Sequence, residues 1–266
     1  MDSENGSKMK IACIYSKRYE SDTKRWINEM VDAGFSYMEI AVSYLPDDQT
    51  NQDEIISYAL SVGLTLNLHA PFGINNISSS DLDCRASSVA NVKHSIDLAA
   101  KHGLGMVTFH PGRLSDDSES VDENWSEMIA VVSDIAEYAK EKKVFVGIEN
   151  MELRPYELVY TVDDLNRFAH LAEDNPYLGV TIDFSHYATL GIGMPDLNAL
   201  KLPIYDVHLS QIVDEKPHGA LVDEGGTLDI AEIFRSIFDY GYDGLVVLEQ
   251  WSFLKESREL AEAVLS

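Results

Sequence analysis

Leu178-Gly179-Val180-Thr181-Ile182-Asp183-Phe184-Ser185-His186 is a short apolar, β-branched run that ends in an acid, with a histidine three residues further on. A strand buried on both faces reads as a continuous apolar run. An acid at the exit of such a run is costly to bury unless hydrogen bonds or a cation compensate it. Asp183 and His186 therefore read as ligand-grade groups at the rim of a sheet. The plainer alternative is that Asp183 caps the next element, since Asp is a favoured cap, and that His186 is a packed rim histidine.

The same grammar recurs along the chain. The run 64–68 ends in His69, and 106–109 ends in His110. The run 144–148 ends in Glu149, 205–207 in His208 and 245–248 in Glu249, while Tyr37-Met38 leads into Glu39. Chance accounts for one or two polar strand ends. A whole series of metal-ligand types in that position asks for a common cause.

Between these runs lie amphipathic stretches with helical spacing, at 23–33, 53–62, 85–102, 122–143, 162–172, 229–240 and 255–265. Gly34, Gly63, Gly103 and Gly241 stop four of them. Strand and helix alternate eight times, which predicts a single-domain α/β protein, a (β/α)8 TIM barrel. A doubly wound open sheet is the rival. The barrel is preferred because ligand-type residues end early, middle and late strands alike, and only closure brings those ends to one axis. No Gly-rich dinucleotide fingerprint is present. Residues 1–9 read as a frayed polar tail, and residues 10–266 as the barrel.

Composition agrees with a globular chain: 266 residues, 45% hydrophobic, mean hydropathy -0.14. No stretch is apolar enough to span a bilayer, so no membrane partner is expected. Cys13 and Cys84 give no disulfide framework, which with the polar N-terminus points to the cytoplasm. The net charge of -25 weighs against a nucleic-acid partner, because phosphate binding relies on Lys and Arg. A homo-oligomer is compatible with the pattern.

Barrel active sites lie at the C-terminal strand ends. Glu149, Asp183, His208 and Glu249 would then project toward one point. Three carboxylates in one cleft repel each other and take up protons unless a cation sits among them. Three oxygen donors and one imidazole suit Mn²⁺ or Mg²⁺, with Zn²⁺ or Co²⁺ also accommodated. His69, His110 and His186 form a second set, suited to further Zn²⁺ ions or to hydrogen-bonding a polar substrate. Glu39 is placed to orient a neighbouring histidine. Arg113 and Arg154 follow strand ends, where surface ion pairing competes with binding an anion. Trp26 and Trp125 read as core, and Trp251 as either pocket wall or core. His94, His102 and His170 read as packing or surface residues.

At these residues the chain resembles the xylose isomerase-like barrel superfamily, which takes in sugar isomerases, ketose 3-epimerases, inosose-processing enzymes and endonuclease IV (AP endonuclease family 2). The resemblance rests on His69-Ala70-Pro71-Phe72, Phe109-His110-Pro111-Gly112, Gly147-Ile148-Glu149-Asn150, Ile182-Asp183-Phe184-Ser185-His186, Val207-His208-Leu209 and Leu248-Glu249. In the isomerase and epimerase branch it implies one divalent metal on Glu149, Asp183, His208 and Glu249. Glu149 and Glu249 then double as acid and base around an enediolate, and His186, helped by His69 and His110, holds oxygens of a small sugar or polyol. In the endonuclease branch it implies a trinuclear zinc site that also uses His69, His110 and His186. That branch has an Asp-x-His pair after the seventh strand; here Asp223 is followed two residues on by Gly225, and His218 lies earlier in the loop. The epimerase or isomerase reading is the favoured expectation. The alternatives are a zinc phosphodiesterase acting on abasic DNA and a non-catalytic barrel that binds a polyol.

Overall fold

The computed structural model describes residues 9–18 and 22–265. Apart from Met9, the expected tail lies outside the described residues; Met9 itself is buried against the core. The strands are β1 (Lys10–Ile14), β2 (Tyr37–Ala41), β3 (Thr65–His69), β4 (Met106–Phe109), β5 (Phe145–Glu149), β6 (Leu178–Asp183), β7 (Ile204–Leu209), β8 (Gln211–Val213), β9 (Lys216–Gly219) and β10 (Leu245–Leu248). All but β8 and β9 run parallel and close into a barrel, in which β10 pairs with both β7 and β1. The single-domain (β/α)8 barrel expected from the alternation is the fold observed.

Closure depends on close approach at one glycine of the opening stretch. A Cβ on Gly179 would stand 2.5 Å from the Pro203 carbonyl oxygen and 2.6 Å from the Tyr205 ring, so only glycine admits β7 beside β6 here.

The main helices are α1 (Thr23–Asp32), α2 (Gln49–Ser61), α3 (Leu82–His102) and α4 (Val121–Lys142), followed by the short α5 (Val162–Leu165), α6 (Ala169–Ala172) and α7 (Phe184–Ala188), then α8 (Ile230–Tyr240) and α9 (Leu254–Val264). Their apolar faces pack on the outside of the barrel in one continuous core. Trp26 and Trp125 belong to that core. Several helices start earlier than the apolar spacing predicts, because a cap sets the first turn. Asp81 accepts from the N–H groups of Asp83 and Cys84, and Asp48 from that of Thr50. Gly103 ends α3 at φ 71°, as its position suggests. The helix expected over 162–172 is broken by a 3-10 turn at Asn166–Phe168.

Strand side chains alternate between lumen and helix layer, so residues two apart share a face. Asn67 and His69, Thr108 and His110, Gly147 and Glu149, Thr181 and Asp183, and Asp206 and His208 are such pairs. The lumen below the strand ends is therefore polar. Asn67 Nδ2 donates to Asp206 Oδ2 at 2.6 Å, and the Thr108 and Thr181 hydroxyls are 2.9 Å apart.

Candidate metal and active centre

Of the four residues expected to share a cation, His208 pairs with Glu149 and Glu249, while the imidazole grouped with Glu149, Asp183 and Glu249 is that of His186. His208 Nδ1 lies 3.2 Å from Glu149 Oε1 and 3.2 Å from Glu249 Oε1. Ligand atoms of Glu149, Asp183, His186 and Glu249 all lie within 4.8 Å of one another. Behind His208, Glu39 Oε2 approaches Nε2 at 3.3 Å, without completing a hydrogen bond.

Asp183 fills the capping role read from the sequence and keeps its second oxygen unpartnered. Its Oδ1 caps α7 by accepting from the His186 N–H at 2.7 Å. Its Oδ2 is buried and has no hydrogen-bond partner. Asn150 clamps the same strand end, donating from Nδ2 to the Asp183 carbonyl and accepting from the Asp183 N–H, each at 2.9 Å.

The second histidine set surrounds Glu149. His69 Nε2 and His110 Nε2 each lie 3.1 Å from Glu149 Oε2. His69 Nδ1 is 2.7 Å from the Ala70 carbonyl. A carbonyl only accepts, so Nδ1 carries a proton and the Nε2 lone pair of a neutral ring would face a carboxylate lone pair. That contact needs a cation or a second proton between the atoms. His186 Nδ1 likewise donates to the Asn150 carbonyl at 2.9 Å, which leaves its Nε2 as the ligand atom.

Electrostatics show how the centre carries its own countercharge. Burial opposes ionised Glu149, yet the charges on His208 and His110 hold it well below the usual carboxylate range. Burial likewise opposes ionised Glu249, and the adjacent His208 brings it down to about 2. Asp183 goes up, driven by burial and reinforced by the charges on Glu249 and Glu149. Burial disfavours protonated His69, but its hydrogen bond to Glu149 and the charge of Glu39 raise it to about 9. An orphaned Asp183 oxygen, facing lone pairs and a mixed oxygen and nitrogen donor set fit a divalent ion.

A pH dependence follows. The folded-state value for His69 lies above the free value of 6.5, so its proton favours the fold. That stabilisation is complete below about pH 6.5 and is lost as pH rises through about 9, roughly 3 kcal/mol in all. Glu157, pushed up to about 7 by burial, adds a loss of the same sign from about pH 4.5 to 7. Thermal melts of metal-stripped protein should fall across this range. Saturating Zn²⁺ should flatten the part above pH 6.5, because the ion takes the place of the proton.

Above the centre is a cavity of about 360 Å³. Tyr44, Phe72, Met151 and Trp251 give it apolar walls, and His186, His218 and Glu249 contribute polar groups. Trp251 is thus a pocket wall. Arg113 and Arg154 also line the cavity, but both are engaged: Arg113 donates to the carbonyls of Gly73 and Asn75, and Arg154 pairs with Glu152. His94, His102 and His170 bond to Gln52, Asp53 and the Arg167 carbonyl away from the centre.

Glu152, Glu157 and Asp206 were not legible as site residues. Asp206 had a signal, since it stands two before His208 on the same strand and so shares its face. Glu152 and Glu157 sit on an irregular loop whose path no periodicity reveals. His218 was visible, but its approach to the pocket needs the turn of β8 onto β9.

A family model described as xylose isomerase-like TIM barrel matches residues 27–265. The chain belongs to that family. D-psicose 3-epimerase of Ruminiclostridium cellulolyticum is 24% identical over 261 residues, covering 88% of this chain and 80% of the relative. An uncharacterized protein of Methanocaldococcus jannaschii is 25% identical over 183 residues, or 68% of this chain; the match spans 65% of its length, just under two thirds. A crystal structure described as a D-tagatose 3-epimerase-like protein superposes with a TM-score of 0.83 at 21% identity, covering 97% of each chain. That likeness speaks for the fold. Among the described residues no helix is long and apolar enough to cross a membrane.

Proposed function

We propose that this xylose isomerase-like barrel is a divalent-metal-dependent isomerase or epimerase of a sugar, sugar phosphate or cyclitol. The observation that carries the reading is the pair of buried carboxylates, Glu149 and Glu249, held against one imidazole nitrogen beneath a cavity of about 360 Å³, room enough for a small polyol. The epimerase names of a relative and a structural neighbour support it.

Glu149, Asp183, His208 and Glu249 would hold the ion, of Mn²⁺, Mg²⁺, Co²⁺ or Zn²⁺ type. When bound, it supplies positive charge against the negative charge that develops on adjacent substrate oxygens. One of the two glutamates takes a proton from the carbon beside the carbonyl, and the other returns one. His186 Nε2 accepts from a substrate hydroxyl, and His69 and His110 position further oxygens. Phe72, Tyr44 and Trp251 keep water from the reacting carbon. The two free thiols, Cys13 and Cys84, support a cytoplasmic setting.

One observation favours a second reading, phosphodiester cleavage at abasic DNA. His69 and His110 converge on one Glu149 oxygen, as a further zinc ion would require. The engaged arginines and the charge of -25 weigh against it.

The test uses stripped protein reloaded with each metal and a panel of ketoses, their phosphates and cyclitols in D₂O. Interconversion of a panel member, followed by NMR, is the expected result. No interconversion, together with nicking of an abasic-site duplex, would move the assignment to the second reading.

A further inference from the structure

We infer that the pocket takes a sugar carrying an apolar, ring-sized substituent, an aryl ether being the simplest case, at the end remote from the reacting carbon. The inference rests on the proposed reaction in placing a polyol over the metal centre, and it names the class to which that polyol belongs.

The cavity has two unlike halves, and the order of strands separates them. Ile14 ends β1, Ala41 ends β2, Tyr44 and Phe72 follow β2 and β3, and Trp251 follows β10. In the closed barrel β10, β1, β2 and β3 are consecutive neighbours, so these five side chains form one side of the mouth. Of the five, only Tyr44 and Trp251 carry a polar side-chain atom. Across from them, His110 and Arg113 follow β4, Glu157 follows β5, His186 lies on α7 and His218 on β9. These belong to the four remaining neighbours, β4 to β7, and the connections that leave them. A ligand bearing hydroxyls at both ends would press half of them against carbon, where they lose their water without gaining a partner.

The apolar half is a fixed surface. The Phe72 ring stands edge-on to Tyr44 and His69, with centroids 5.7 and 5.3 Å apart, and stacks on His110 at 5.7 Å. Arg18 Nη2 donates to the Trp251 carbonyl at 2.7 Å, and Lys17 Nζ lies 5.6 Å from the Tyr44 centroid. A flat apolar group meets rings that are already in place, so little ordering opposes its binding.

Two observations ask for a substituent rather than a bare sugar. The cavity of about 360 Å³ falls in the range of sites that bury drug-sized ligands, about 300–1,000 Å³. The apolar half also continues outward: Ile74, next to Gly73 of the lining, is 90% exposed, and Phe253, two residues past Trp251, is 57% exposed. Exposed apolar surface continuous with a pocket marks a ligand groove. A second copy of this chain is the poorer occupant, because it brings the same charge of -25. A phosphate is poorer too, because Arg113 and Arg154 follow β4 and β5 on the opposite half and are engaged by the Gly73 and Asn75 carbonyls and by Glu152.

The test measures Kd by titration calorimetry on metal-loaded protein. The ligands are D-fructose, D-psicose and D-tagatose, each free, as the 6-phosphate and as the 6-O-benzyl ether. A benzyl ether should bind about tenfold or more tighter than its parent sugar, the gain expected for burying one phenyl ring. Ile74→Ser and Phe253→Ser should each reduce that advantage by about threefold while the parent sugar binds as before. Leu153→Ser, at a 61% exposed position on the loop after β5, should leave the advantage intact. Equal Kd for ether and parent, no binding of the ethers, a tighter phosphate, or an advantage untouched by Ile74→Ser and Phe253→Ser would overturn the inference. So would a dimer in sedimentation that Phe253→Ser dissolves, since the rim would then belong to a second copy. None of these readings uses turnover, so failure of the proposed isomerisation shows separately, as no interconversion of any panel sugar.

Discussion

Glu149→Gln should lower turnover by about 10³-fold or more on whichever panel substrate the protein accepts. The reason is the position of the carboxylate. Oε1 faces His208 and His186, and Oε2 faces His69 and His110. Glutamine keeps the shape but removes the charge and replaces one acceptor with a donor. One end of the amide must then meet imidazole nitrogens that were satisfied by an anion. Proton transfer and ion binding are lost together. Circular dichroism should still report a folded barrel, because the strand register around β5 does not depend on the charge. A variant that retained turnover within about tenfold of the wild type would remove Glu149 from the chemistry.

His208→Ala should cost the metal-stripped protein about 3–5 kcal/mol of folding stability. Glu39 is fully buried, and neither of its oxygens has a hydrogen-bond partner. The His208 ring, 3.3 Å away, is its nearest compensating charge. Burial opposes protonation of that ring, but Glu39, Glu249 and Glu149 raise it well above the free imidazole value. Removing the ring leaves a carboxylate in the barrel lumen with no cation beside it, and opens a cavity as well. Adding Glu39→Gln to His208→Ala should recover much of the loss, since the charge is gone and only the cavity remains. Denaturant melts of the two single variants and the double variant make the comparison. Near-additive effects would mean that Glu39 and His208 do not compensate each other.

Much of this architecture was legible because the barrel writes its axis into the chain. Each apolar run of the opening type ended in a group that pays for burial only if its neighbours answer it. His69, Glu149, Asp183 and His208, on four strands of the barrel, and His110 and Glu249, just past two others, answer one another across the lumen. Helix starts were less legible, because Asp48, Asp81 and Ser120 are polar caps that precede polar first turns, and an apolar stripe does not register them. The hairpin in residues 211–219 was hidden for a different reason. Lys216-Pro217-His218-Gly219 has little strand propensity, and its pairing with β8 comes from the tertiary setting: the Ser210 hydroxyl and the fit of Gly219 against Val213. The inner polar layer of Asn67 and Asp206 lies two positions before the strand ends, within apolar runs that do not mark it.

The acid load has its own place in this picture. The charge of -25 surrounds a centre that gathers still more carboxylates, so cations are the natural partners of both surface and site. Arg113 and Arg154 moderate the field at the mouth, yet each is tied to the chain itself.

The most direct test of the shared-cation centre is a crystal of the metal-loaded protein, with anomalous diffraction recorded at the metal edge. The account predicts a peak within about 2.0–2.3 Å of Glu149, Asp183, His208 and Glu249 together. Metal bound elsewhere, with those four side chains contacting only one another, would contradict it.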